Sequence, residues 1–376
     1  MRPLTCALRA ALCCVALRAD ATEKDVAAAS DASAGFAESA DESTQFSVET
    51  LLSGLDNPIS LAVRPGSPAA GPWELFVAES GAGRVICWST NASSPPKPAV
   101  TNFPLGQFGR SPTIRVGPRS LAFLTRTKLA VAVGGHDDEQ ESVQVFGLAA
   151  DGEPLDSAKP DYQVGPVSRG PQSASGEGNF IALAATDDAL FVASHGDDQQ
   201  GWILKATVAA NRAANLQPFI AARKLTGQAA PAALAINPKS DLRYLVVGMM
   251  GSDAPQRDSV LAFFDPASGQ LAMSVPLGLR DVLGLAYSPT TGELYAVDFS
   301  WSAPQEGGVF RIDAAEVDGR EGCRAVRIAK AIRPAGIAFT PDGTLYVTAL
   351  GERTDPAGKP TGVLLKLTPK SDAPKP

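Results

Sequence analysis

The stretch Gly336-Ile337-Ala338-Phe339-Thr340-Pro341-Asp342-Gly343-Thr344-Leu345-Tyr346-Val347-Thr348 is a short β-rich run, a Pro-Asp-Gly break and a second β-rich run. It reads as strand, tight turn, strand. Weaker copies lie elsewhere: Ser60-Leu61-Ala62-Val63 leads to Leu75-Phe76-Val77, and Gly284-Leu285-Ala286-Tyr287-Ser288-Pro289 leads to Leu294-Tyr295-Ala296-Val297. With this unit as a ruler, first strands begin near Leu61, Leu121, Ile181, Leu234, Leu285 and Ile337. The spacing of roughly 50 to 60 residues is that of a four-stranded propeller blade.

Second strands are expected at 75–78, 129–133, 190–193, 244–247, 294–297 and 345–348, and third strands at 84–88, 143–146, 202–206, 260–264, 309–312 and 363–367. Fourth strands read more weakly at 99–103, 162–164, 218–221, 271–275 and 325–328, and the sixth repeat has no room for one before its Pro- and Lys-rich end. The run Phe46-Ser47-Val48-Glu49-Thr50-Leu51-Leu52 has strand chemistry and precedes the first repeat. Its expected place is the last blade, where it closes the ring and removes an exposed edge. Pro58, Pro118, Pro231 and Pro334 precede first strands, where a missing N–H is tolerated. The expected fold class is all-β: a six-bladed β-propeller of four-stranded antiparallel blades, the last closed by an N-terminal strand.

Composition agrees with many short strands. The 376 residues include 35 Gly and 30 Pro, with 44% hydrophobic and 19% charged residues. A net charge of −7 argues against a general nucleic-acid binder, which needs a basic footprint. Residues 1–21 combine Arg2, a short apolar run and a small-x-small site at Ala19-Asp20-Ala21, the pattern of an export signal, so a periplasmic or secreted location is expected. Residues 22–44, rich in Ala, Ser, Asp and Glu, read as a disordered linker. The propeller is expected over 45–369, with a disordered tail at 370–376. No later run is long and apolar enough to span a bilayer. Cys87 and Cys323 are the only cysteines beyond the leader, and their separate repeats point to two buried free thiols. A monomer is expected.

The phrases Leu55-Asp56-Asn57-Pro58-Ile59-Ser60-Leu61-Ala62 with Leu75-Phe76-Val77-Ala78-Glu79, and Pro334-Ala335-Gly336-Ile337-Ala338-Phe339 with Asp342-Gly343 and Leu345-Tyr346-Val347, carry a resemblance. Over about 45–368 the chain resembles the six-bladed propellers of the NHL-repeat and TolB-like group, with its strictosidine-synthase and gluconolactonase-like relatives. The resemblance implies the fold. It implies no single reaction, because the group includes lactonases, phosphotriesterases, quinone-dependent dehydrogenases and binding modules.

In a meander blade, the entrance to the first strand and the connection from second to third strand share one face. Candidate ligand-binding residues on that rim are Asn57, Glu79, Arg119, Asp298 and Arg333. His136 and His195, the only histidines, sit in the matching phrases Gly135-His136-Asp137-Asp138 and Ser194-His195-Gly196-Asp197-Asp198. Imidazole beside carboxylate suits a general base or a divalent metal, so both are catalytic candidates. The competing reading is that both loops are polar turns. Glu79 and Asp298 align at the ends of second strands and could bind a cation across the channel, or hydrogen-bond backbone amides of a neighbouring blade.

The gluconolactonase resemblance implies a metal held by one Glu, two Asn and one Asp. Glu177, Asn179 and Asp281 are of the right types, without the family's flanking pattern, and a divalent metal such as Ca²⁺ is the cofactor they would hold. A quinone-dependent dehydrogenase would use His136 or His195 with Arg119, Arg280 and Arg333, and its local motifs are absent. Met249-Met250 and Phe299-Ser300-Trp301 fit either an apolar ligand pocket or packing. The function expected is an exported module that binds a small molecule or a protein at its rim. The alternative is a metal-dependent hydrolase or lactonase, or a quinone-dependent dehydrogenase, of the same fold.

Overall fold

A computed structural model describes residues 40–66, 71–91, 95–108, 114–149, 152–196, 200–228, 230–237, 243–252, 256–317 and 320–370. The expected leader, and linker residues 22–39, lie outside this set, as do 371–376.

The chain is a six-bladed β-propeller. Each blade is an antiparallel meander whose innermost strand lines a central channel: Pro58–Val63, Pro118–Thr125, Ala182–Ala185, Ala230–Ile236, Val282–Tyr287 and Pro334–Phe339 in blades 1 to 6. The proline expectation holds, since Pro58, Pro118 and Pro334 open their strands and Pro231 is second in its own. Period-2 alternation makes each strand serve two neighbours. In the second strand of blade 5, Leu294–Asp298, Leu294 and Ala296 pack against blade 4, whereas Tyr295 and Val297 pack against blade 6. Phe76 and Ala78 likewise face blade 2, and Leu75 and Val77 face blade 6. Six apolar clusters result, one per blade interface. The second strands therefore read as continuous apolar runs, because neither face meets water.

Closure follows the expected scheme. Phe46–Leu55 is the outermost strand of blade 6 and pairs antiparallel with Gly362–Pro369, from Phe46 opposite Pro369 to Leu55 opposite Gly362. Where blade 6 meets blade 1 the inner strands touch. A Cβ on Gly336 would stand 2.8 Å from the Leu61 amide nitrogen and 2.7 Å from Thr348 Oγ1, so the best-preserved repeat needs a glycine at its seam.

Three features depart from the sequence reading. Ordered chain starts ahead of Gln45, for Ala40–Asp41 adds in parallel to Val326–Arg327 at the outer edge of blade 5. Leu155–Asp156 covers Val100–Thr101 of blade 1 in the same way. The connection from blade 1 to blade 2 forms its own hairpin, Gly106–Phe108 with Ile114–Val116. Among the described residues Cys87 and Cys323 are free, Cys323 buried and Cys87 half-buried, and burial pushes both thiols up to about 12. No helix among the described residues is long and apolar enough to cross a membrane.

Candidate functional site: the propeller rim

Glu79 and Asp298 end the second strands of blades 1 and 5, and both carboxylates turn back on the loop entering their own blade. Glu79 Oε1 accepts the Asp56 N–H at 3.0 Å, and its Oε2 accepts Arg84 Nε–H at 2.6 Å. Asp298 accepts main-chain N–H groups from Asp281 at 2.8 Å, Ser300 at 3.1 Å and Arg280 at 3.1 Å. Burial pushes the Asp298 carboxyl up, and these three donors oppose it. Of the two roles open from sequence, the structure builds main-chain latches, within one blade rather than between neighbours. Asp281 completes the brace of blade 5, accepting the Trp301 N–H at 2.6 Å.

Asn57 holds the unexpected hairpin. Its Nδ2 donates to Arg115 O at 3.0 Å, while Arg115 pairs with Asp56 at 2.7 Å and the Gly117 N–H donates to Ser80 Oγ at 2.9 Å. From these anchors on blade 1, Ile114 and Val116 reach across to Phe299, Trp301, Ala335 and Leu350 of blades 5 and 6. Ile59, Leu283 and Ala335 line the channel and also touch this cluster, so the hairpin caps the channel over blades 5, 6 and 1. Phe299 and Trp301 are packing residues, their rings 4.9 Å apart. Met249 belongs to the interface of blades 3 and 4. Arg333, at φ 51°, donates to Gly351 O at 3.0 Å and lies 3.7 Å from Glu352. Burial draws its guanidinium below the ordinary value.

Below the cap the channel encloses a cavity of about 80 Å³. Arg119 is the charged side chain on its wall among the described residues, and it is 2% exposed. Its guanidinium bonds Asn179 Oδ1 and faces Glu141. Burial pushes Arg119 down to about 10, against the pull of Glu141, so it stays cationic at neutral pH. Glu141 accepts the Phe180 N–H at 3.0 Å and also the His136 N–H. A Cβ on Gly134 would lie 2.2 Å from Arg119 Cδ, so a glycine gives the arginine its place. Sequence reasoning missed Glu141. Its charge partner is a whole meander strand away, and no local motif marks the pair.

The histidines have different settings. His136 is exposed on blade 2, whereas His195 is half-buried and its Nε2 lies 2.8 Å from Pro231 O of blade 4. Glu177 accepts the Ser194 hydroxyl within blade 3. The rim therefore unites Arg119 with Asn179, and Asp281 with Asp298, and gives Glu177, Asp281 and the histidines separate partners. Among the described residues no group of three or more His, Cys, Asp or Glu is placed to hold a metal ion. Ca²⁺ takes six to eight oxygens. Of the three residues that the resemblance singles out for a metal, Asp281 accepts the Trp301 N–H, Asn179 Oδ1 is bonded to Arg119 and Glu177 accepts the Ser194 hydroxyl, so each has a protein partner of its own.

No family model matches the chain, and no curated protein does. Among solved structures, hydrazine synthase from Kuenenia stuttgartiensis aligns with a TM-score of 0.50 and 15% identity, over 80% of this chain and 75% of that one. A candidate 6-phosphogluconolactonase from Bacteroides fragilis NCTC 9343 aligns at 0.48 and 17% identity, over 83% and 87%. The WD40 β-propeller domain of Doa1 aligns at 0.46 and 10%, over 86% and 98%. At these identities the likeness is one of fold.

Proposed function

We propose that the chain is an exported β-propeller that binds a small molecule or a protein through the rim of blades 2 and 3. The observation that carries this reading is where the polar groups go. Glu79, Asp281, Asp298, Asn57 and Arg333 are tied to main-chain atoms, and the hairpin caps the mouth over blades 5, 6 and 1. His136, Asp137 and Asp138 stay exposed on blade 2, beside the half-buried His195 of blade 3. Exposed polar loops on a rigid scaffold suit recognition. Kinship with the NHL-repeat and TolB-like group belongs to the same reading and rests on the phrases at 55–62 and 334–347. Export rests on the pattern of residues 1–21.

Two measurements test it. The purified protein is offered δ-gluconolactone, paraoxon, and glucose with a quinone cofactor, each with and without Ca²⁺. A binding module turns over none of them above the blank, and turnover that disappears in Glu177→Gln or His195→Ala overturns the reading. For export, mass spectrometry of protein from its native host is expected to show a mature N-terminus just after Ala21. An intact Met1 contradicts that part.

A further inference from the structure

One position of the inner strand, read around the channel, is Ser60, Ser120, Ala182, Ala233, Gly284 and Gly336 in blades 1 to 6, each followed by a leucine or isoleucine. Only blades 1 and 2 place a hydroxyl there. In blades 5 and 6 even a Cβ would meet main chain of the next blade, 2.6 Å from Ala335 O and 2.8 Å from the Leu61 nitrogen. The inner strands leave room for a polar side chain on one side of the channel.

Each serine bridges to the following blade. Ser60 Oγ accepts the Leu121 N–H at 3.2 Å, and Ser120 Oγ accepts the Leu183 N–H at 3.0 Å. A hydroxyl whose oxygen accepts in this way still has its proton to donate. Neither proton finds an acceptor among the described residues, and both serines line the channel cavity of about 80 Å³.

The charge lies on the same side. Arg119 is next to Ser120 in the inner strand of blade 2, and among the described residues that line the cavity it is the one with a charge. Arg119 is 2% exposed and Ser120 7%. The guanidinium donates to Asn179 Oδ1, and Glu141 faces it. Burial shifts the Glu141 carboxyl toward its neutral form, which weakens its cancellation of the cation. A buried guanidinium and two hydroxyl protons, with no carboxylate among the described lining residues, favour an anion over water alone.

Volume narrows the choice. Liquid water occupies about 30 Å³ per molecule, so the cavity has room for two or three waters, or for one halide-sized ion with a water. Ligand pockets of metabolite size begin near roughly 300 Å³, which rules out a sugar, a lactone or a quinone here.

We propose that the central channel binds one chloride-sized monovalent anion, held by the Ser60 and Ser120 hydroxyls and the Arg119 guanidinium. The ion is structural: it ties the inner strands of blades 1 and 2 together at the axis, so its binding is read in stability. The channel site is separate from the rim of blades 2 and 3, and it stands or falls independently of recognition there.

The test uses the full chain. Crystals grown in sodium bromide, with diffraction recorded at the bromine absorption edge, are expected to show one anomalous peak in the channel within hydrogen-bond distance of both serine oxygens. In solution, replacing glutamate, which is too bulky for the cavity, by chloride at constant pH and ionic strength is expected to raise the melting temperature saturably, by about 2 °C at tenfold excess over Kd. The double variant Ser60→Ala with Ser120→Ala also loses two acceptors for main-chain amides, so its melting temperature is expected to fall in either salt. The informative readout is the difference between salts, which is expected to vanish. Bromide found on the surface and not in the channel, parent melts that coincide in the two salts, or a chloride effect retained in the double variant overturns the proposal. Should that variant not fold, the bromide map of the parent decides alone.

Discussion

A chain that begins at Asp56 is expected not to fold. Removing 40–55 strips blade 6 of its outermost strand and takes Phe46, Leu51, Leu52 and Leu55 out of the clusters between blades 5 and 6 and between blades 6 and 1. At about 1.5–3 kcal/mol for each fully buried apolar side chain, the loss from these four reaches roughly 6–12 kcal/mol as an upper bound, since three of them are only partly buried. Whole domains are stable by about 5–15 kcal/mol. The truncation also bares the edge of Gly362–Pro369, which invites aggregation. A circular permutant separates lost closure from lost sequence. Phe46 lies opposite Pro369, so a two-residue Asn-Gly turn after Pro369 can lead directly into 46–55 as an ordinary hairpin. Circular dichroism melts should show the truncated chain without a cooperative transition and the permutant with one close to the parent. A truncated chain that melts like the parent contradicts the closure.

Glu141→Gln is expected to change the pH dependence of stability, because burial favours the neutral form of the Glu141 carboxyl and the nearby Arg119 cation only partly opposes it. The pH dependence has a definite sign. Burial raises the Glu141 carboxyl in the folded state above its ordinary value of 4.5, so between the two values the folded protein holds the extra proton. Its contribution is fully present below the unfolded value and is lost as pH rises through the folded one. Glu141→Gln should remove that slope from stability measured by urea unfolding. An unchanged slope in Glu141→Gln would contradict this.

The propeller was legible because its strands face apolar neighbours on both sides. Runs such as Leu75-Phe76-Val77-Ala78 then stay apolar at every position, and turn residues punctuate them. The closing strand was legible for the complementary reason: 46–52 had strand chemistry and no partner, while the sixth repeat had two strand edges and too little chain. The hairpin of Gly106–Phe108 with Ile114–Val116 was hidden, since each arm is only three residues long. Gly106 and Gly117 permit tight approaches, Gly106 to Gly135 and Gly117 to Ser80 and Gly83. At the rim, residue types were legible and their partners were not. Asp298 and Glu79 could be aligned as carboxylates at equivalent strand ends. Most of their partners are main-chain amides, Asp56 for Glu79 and Arg280, Asp281 and Ser300 for Asp298, which every residue except proline carries and no side chain announces. Glu141 was missed for a related reason, its partner Arg119 lying on another strand of the meander.

The account's central claim is that Glu177, Asn179 and Asp281 are engaged by protein partners of their own. Calorimetric titration of Ca²⁺ into the EDTA-treated protein tests it most directly, with melting curves recorded alongside in Ca²⁺ and in EDTA. The account predicts no saturable heat and superimposable melts. A one-site isotherm that disappears in Asp281→Asn or Glu177→Gln would contradict it.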